Sequence, residues 1–411
     1  MKHPKKRTIL FFITILLLSL AGCGKEPESE PVSTTAPYVL SVLPEDRNQA
    51  FTAQGFVETP EGYYYGIPKA YEGGLIFFCP RGGTTFRPLC GKPNCKHEDS
   101  NCNAWYDGMT FGYYNGALYT LEIPWEDDDY KLVKFNLDGT DHAVVAKVKV
   151  DTSKPYSYNY TFHHGKLFLH ASTLHTTIDG AVEDHLYVVD LSDYSQKDIA
   201  SEFFQTGSVF LFDGYYKDKL YGEATSDKLA DYDDNGLRLV EIDANTGEAR
   251  TLVSKPAVSS YATDDTLYYF QPDVEEIGYE IGKVEPGFRE LDLATGAVKD
   301  CGMPASDILN ARYDEDYIYA GSFLRNDDQD YTVYFLSRDY QLLDQIELTE
   351  GQYIVNITSD RIFFSDKNPL NSNGPGDTDE ANLKLYGICY YIDKSEIGSH
   401  AITLKPMETV R

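Results

Sequence analysis

The chain lacks the short signatures by which many enzymes can be read from sequence. It has no G-x-S-x-G elbow, no H-E-x-x-H, no P-loop and no dinucleotide fingerprint. No stretch beyond the N-terminal segment sustains apolar residues at a 3.6-residue period, which excludes helical bundles and folds that alternate strands with amphipathic helices. Basic residues are scarce: 36 Lys and Arg stand against 65 Asp and Glu, a formal net charge of -29. That balance argues against nucleic acid as a partner and against an electrostatic grip on anionic lipid. It suits a well-solvated surface or cationic ligands. Cysteine is sparse too, seven residues in 411, yet three of them fall between positions 90 and 102.

What is present begins with an export signal. Lys2, Lys5, Lys6 and Arg7 precede an apolar run from Ile9 to about Leu20, too short for a comfortable membrane span. The run ends in Leu20-Ala21-Gly22-Cys23, which resembles the bacterial lipobox. That resemblance implies cleavage after residue 22, lipid on Cys23 and a protein held at the extracytoplasmic face of the cell membrane. Without the signal the net charge becomes -33, because the signal holds four Lys and Arg and no acid. Residues 24–37, "GKEPESEPVSTTAP", have almost nothing to bury and read as a disordered tether. Fully extended, they would reach about 46 Å. Residues 38–411 are expected to form one folded domain.

That domain repeats. A turn residue, one further residue, an aliphatic or Tyr, then Tyr or Phe recurs seven times, with third positions Tyr63, Leu118, Leu167, Leu220, Leu267, Ile318 and Ile362. Successive third positions are 44 to 55 residues apart. Each instance follows an apolar stretch and a polar turn, the pattern of a hairpin. A third segment with apolar residues at alternate positions follows, as in "KLVKFNLDG" and "HLYVVDLSD", and most units close with a fourth, such as "ARTLVS". Four strands per unit at this spacing predict an all-β β-propeller of seven four-stranded blades, six or eight being compatible with the irregular terminal units. The 33 tyrosines suit pleated surfaces packed sheet on sheet. Residues 38–50 are expected to add a strand that locks the first and last blades together.

The cysteines stand in "CGKPNCKHEDSNC", after the outer strand of blade one. Cys90, Cys95, His97 and Cys102 make a complete Cys3His set for a tetrahedral metal such as zinc, with Pro93-Asn94 offering a turn that folds the ligands together. A disulfide among the three cysteines is the alternative, since exported cysteines commonly pair. A closed four-ligand set would leave no open position for catalysis. Together with Pro88, Leu89, Lys92, Pro93, Asn103 and Ala104, this segment resembles one that follows the first blade in lipoproteins of anaerobic Gram-positive bacteria. The repeat plan is also similar to TolB-like propellers at the level of fold. Neither resemblance lends an activity.

In several blades the segments between second and third strands are long and acidic. They should share one face with the blade-to-blade connections, hence with the cysteine loop. Candidate residues of a binding face are Asp127, Asp128 and Asp129 in blade two, His170, His175, Asp184 and His185 in blade three, and Asp327 and Asp328 in blade six. Asp231, Asp233 and Asn235, followed by Gly236, match the start of a calcium loop, but Ile242 stands where the bidentate Glu belongs. Two functions fit: a tethered envelope module that binds a glycan, peptide or protein partner, or an envelope carbohydrate hydrolase or lyase working through carboxylates of the acidic face.

Overall fold

All seven repeat positions, Tyr63, Leu118, Leu167, Leu220, Leu267, Ile318 and Ile362, are fully buried. Each starts the apolar row of a second strand, so the sequence period is the period of the core. The computed structural model describes residues 55–69, 73–108, 110–123, 129–150, 157–172, 184–199, 210–224, 238–272, 285–322, 330–349, 351–366 and 387–410. These belong to the compact unit Val42–Arg411; the unit Met1–Ser41, with the signal, Cys23 and the tether, lies outside the described residues.

Blade one comprises β1 (Phe56–Glu58), β2 (Gly62–Lys69), β3 (Gly73–Pro80) and an outer strand in two pieces, β4 (Thr85–Pro88) and β5 (Trp105–Tyr106). Blade two is β6 (Phe111–Tyr114), β7 (Ala117–Glu122), β8 (Asp129–Asn136) and β9 (Ala143–Lys149). Blade three is β10 (Ser157–His163), β11 (Lys166–Ser172), β12 (Asp184–Asp190) and β13 (Gln196–Ile199). Blade four is β14 (Phe210–Tyr216), β15 (Lys219–Ala224), β16 (Arg238–Asp243) and β17 (Ala249–Val253). Blade five is β18 (Val258–Ala262), β19 (Thr266–Gln271), β20 (Gly287–Asp292) and β21 (Val298–Gly302). Blade six is β22 (Asn310–Tyr313), β23 (Ile318–Gly321), β24 (Tyr331–Leu336) and β25 (Leu342–Leu348). Blade seven is β26 (Tyr353–Ile357), β27 (Arg361–Ser365), β28 (Tyr390–Asp393) and β29 (Lys405–Pro406), and β30 (Glu408–Thr409) ends the chain of strands.

Within each blade the four strands pair antiparallel in chain order. The first strands of blades one to six neighbour one another in turn, which puts the first strands innermost in the ring. The fold is therefore a seven-bladed β-propeller. Burial falls outward: β15 and β27 are buried almost throughout, while β21 and β25 are largely exposed. Blade turns are fixed locally. Asp190, Asp243 and Asp292 each end a third strand and accept hydrogen bonds from the backbone two residues on, the Asx turn such sequences favour. Among the described residues the only helix is the 3-10 turn Lys394–Glu396, and none is long and apolar enough to cross a membrane.

The ring closes through the C-terminus. β30 adds to blade one in parallel with β4, pairing Glu408 with Thr85 and Thr409 with Phe86. Residues 38–50, expected to form the lock, lie outside the described residues. Beside β30, a polar network crosses from blade one to blade seven. Arg81 contacts Glu58 at 2.9 Å and Asp360 at 3.0 Å, and Tyr63 donates to Asp360 at 2.6 Å. Glu58 accepts from the Ser359 amide at 2.8 Å.

Candidate metal centre

The ligand segment is an excursion within a strand. β4 pairs with β3 at Phe77 and Phe78, and β5 pairs with the same strand at Leu75 and Gly74. Residues 89–104 leave the outer edge of blade one between these two pieces and return to it. Backbone bonds from Leu89 to Ile76 and from Ile76 to Ala104, each 2.8 Å, hold the two exits together. Three turns then fold the loop. Lys92-Pro93-Asn94-Cys95 closes with the Cys95 amide on the Lys92 carbonyl at 3.3 Å, with Asn94 in the left-handed region (φ 58°) that the third position of a type II turn requires. The Cys102 amide bonds the Asp99 carbonyl at 3.0 Å, and the Trp105 amide bonds the Cys102 carbonyl at 3.1 Å. Gly139, in the β8–β9 turn of blade two, seals the loop from the far side. A Cβ there would lie 2.5 Å from the Asn103 carbonyl oxygen, so only glycine lets the backbones approach.

These turns bring Cys90, Cys95, His97 and Cys102 together, with one ligand atom from each lying within 4.8 Å of all the others. His97 Nδ1 is 3.2 Å from Cys102 Sγ. Tetrahedral coordination at usual Zn–S and Zn–N lengths needs edges of about 3.6–3.8 Å, so the set fits a metal with small adjustments. No disulfide joins the three cysteines. Amides point at the sulfurs, as thiolates require: Ala104 donates to Cys102 Sγ at 3.4 Å. Partial burial opposes ionisation of Cys90, but the Lys92 and Asn103 amides and the neighbouring thiols hold its pKa below the ordinary thiol value. Burial first, then the neighbouring thiols, push Cys102 up to about 12. One thiol thus ionises well before the other, and a cation would draw off the remaining protons. Cys102 is buried, and Cys90 and Cys95 pack against the blade-one core. Of the other cysteines, Cys79 is buried, and Cys301 and Cys389 are half-buried.

The position of the centre differs from expectation. It is an excursion from the middle of the outer strand of blade one, packed against the β8–β9 turn of blade two, rather than part of the connection between the blades. Blade three also departs from expectation. His170 pairs with Leu186 and His185 with Ala171, so the pleat sends the two histidines to opposite faces of one sheet. Burial, with a smaller push from His185, holds His170 down to about 4 and keeps it neutral at pH 7. His185 bonds Asp198 at 2.7 Å and stacks on Tyr187. Asp129 pairs with Lys147 at 2.7 Å. Asp184 begins β12, but its side chain is outside the described set. Asp127, Asp128, His175, Asp327, Asp328 and the calcium candidates Asp231, Asp233 and Asn235 also lie outside it. Among the described residues the Cys3His set is the one convergent group of metal-ligating side chains.

One acidic pair escaped the sequence patterns. Asp213 sits at a bulge in innermost β14, and Glu223 stands in β15. Both accept from adjacent amides of blade five: Asp213 from Ser260 N at 2.9 Å and Oγ at 2.6 Å, Glu223 from Ser259 N at 2.8 Å. The clue was an Asp inside the apolar run "SVFLFDGYY". Desolvation pushes Asp213 up to about 6, and desolvation and then the Asp213 charge push Glu223 up as well. A carboxyl with a raised folded-state pKa contributes stability at low pH and loses it as pH rises through that value. Asp213→Asn should therefore gain stability relative to the unaltered chain as pH rises from about 4 to about 6, by on the order of 2 kcal/mol, and keep that gain at higher pH. Urea unfolding of both proteins across that range measures it. The buried histidines act oppositely but equally in both proteins, so a flat difference would refute the assignment.

No family model matches the chain, and no curated protein matches it. Solved structures do. A prolyl endopeptidase shares 12% identity over 88% of this chain and 50% of its own, with a TM-score of 0.49. The β-propeller domain of the Trilobed protease from Pyrococcus furiosus shares 9% over 78% of this chain and 90% of its own, TM-score 0.45. TolB from Acinetobacter baumannii shares 11% over 74% and 64%, TM-score 0.37. The chain spans half the length of the prolyl endopeptidase. These likenesses are of fold and say nothing about chemistry.

Proposed function

We propose that this propeller is a ligand- or partner-binding module of the cell envelope, lipidated at Cys23, displayed on the tether of residues 24–37, and carrying a structural zinc ion on Cys90, Cys95, His97 and Cys102. The observation that carries the reading is the form of the metal centre. Four donors converge at the edge of a blade, where a tetrahedrally bound metal would fasten a loop rather than meet a substrate. Thiolate and imidazole donors suit zinc over calcium or magnesium. The lipobox-like segment Leu20–Cys23 supports the same reading: a propeller held at the membrane surface would meet envelope polymers and neighbouring proteins directly.

Cys23→Ala should shift the protein from the membrane fraction to the soluble extracytoplasmic fraction, as judged by immunoblotting after fractionation. Retention in the membrane would mean that the apolar run is itself the anchor. Binding is tested by probing glycan and peptide arrays with the purified full chain; specific, saturable signal is expected.

A further inference from the structure

We propose that the cavity between blades four and five binds a neutral, polyhydroxylated ligand, a mono- or disaccharide; this deepens the ligand-binding reading and rests on it. The cavity encloses about 470 Å³, within the range of small-molecule sites. It opens at the end of the blades that carries the short turns. Its floor is one cross-strand row of blade four, in which Tyr221 pairs with Glu241 and Glu241 with Arg250. Its opposite wall is the β18–β19 turn of blade five with Thr263 and Asp264.

The charges decide the ligand class. In a chain of net charge -29, this cavity holds three cations, Lys217, Lys219 and Arg250, against three carboxylates, Glu241, Glu248 and Asp264. Each cation has a carboxylate: Lys217 meets Asp264 at 2.6 Å, Lys219 meets Asp243 at 2.7 Å and Arg250 meets Glu241 at 3.0 Å. An anion would have to displace a carboxylate, and a cation would meet three resident cations. An apolar ligand finds Leu293 as the sole aliphatic lining residue. Vicinal hydroxyls fit instead, because each can accept from a Lys or Arg and donate to the adjoining carboxylate. Tyr216, only partly buried, adds aromatic surface above the buried Tyr221. Tyr221 donates to Glu241 at 3.1 Å and Tyr216 to Asp264, so both rings are positioned before any ligand arrives.

The test uses the full chain in detergent, with cellobiose, maltose and N,N′-diacetylchitobiose as probes in saturation-transfer NMR titrations. At least one should bind saturably. Tyr216→Ala and Arg250→Gln should each weaken that binding tenfold or more, while Lys299→Gln on the outer strand of blade five leaves it unchanged. Circular dichroism melts confirm that the variants fold. Saturable binding that ignores both cavity variants would overturn this site and leave the ligand-binding reading standing. Absence of saturation by all three sugars would overturn the ligand class assigned here, and silent arrays would remove the broader reading with it.

Discussion

Arg81→Ala should destabilise the propeller by about 3–5 kcal/mol, the cost of removing one partner from a buried ionic network. The side chain of Glu58 is 3% exposed and that of Arg81 11% exposed. Arg81 reaches Glu58 at 2.9 Å, the Thr59 carbonyl at 2.7 Å and Asp360 of blade seven at 3.0 Å. Without the guanidinium, two carboxylates would face each other across the ring seam with no cation between them. Tyr63, whose hydroxyl burial and Asp360 hold far above the usual phenol range, cannot supply a charge there. Arg361 bonds Gly83 at 2.6 Å and Asp393 at 3.1 Å, so it is already engaged. Arg81→Lys should recover only part of the loss, because an ammonium cannot fork to three acceptors as guanidinium does. Arg87→Ala, exposed on β4, should stay within about 0.5 kcal/mol. Urea unfolding of the three variants measures this. If Arg81→Ala behaves like Arg87→Ala, the seam is held by β30 and apolar packing alone.

That network shows where sequence reasoning stops. The blades were legible because their signal is local: alternation within a strand and a recurring buried third position from Tyr63 to Ile362. The metal loop was legible for the same reason, since four donors and the Pro93-Asn94 turn lie within thirteen residues. Contacts between blades have no such pattern. Glu58 and Ser359 meet across 301 positions, and Asp213 and Ser260 across 47. β30 is a two-residue pairing in "PMETV", too short to register as a strand. In blade three the register of adjacent strands, which the sequence does not display, sets His170 opposite Leu186 and His185 opposite Ala171, so the pleat sends the two histidines apart. The split between β4 and β5 was hidden for a different reason. Trp105-Tyr106 is too brief to show alternation, so the cysteine loop passed for a blade-to-blade connection.

Zinc should be recovered at about one ion per chain from protein purified under reducing conditions, and His97→Ala should weaken its retention more than 100-fold, a loss beyond the 10–100-fold typical of changes behind the ligands. Chelation should leave most of the propeller folded, because blades two to seven are held by their own buried apolar rows. The effect should concentrate where the loop is anchored. Amide exchange should accelerate at Leu89, Cys102 and Trp105, whose hydrogen bonds close the excursion and its turns, and at Ile76, which the Ala104 carbonyl accepts. A weaker increase should reach Val410, which donates to Phe86 at 3.0 Å, because β4 carries both the entrance to the metal loop and the seat of β30. Amides of β23 and β24 in blade six should not change. Peptide masses separate the alternative chemistry. A metal-free chain whose 90–102 peptide is two hydrogens lighter would establish a disulfide in place of the metal. Global exchange on chelation would mean that the centre holds the ring closed through β4 and β30, since those strands join the metal loop directly to the seam between blades one and seven.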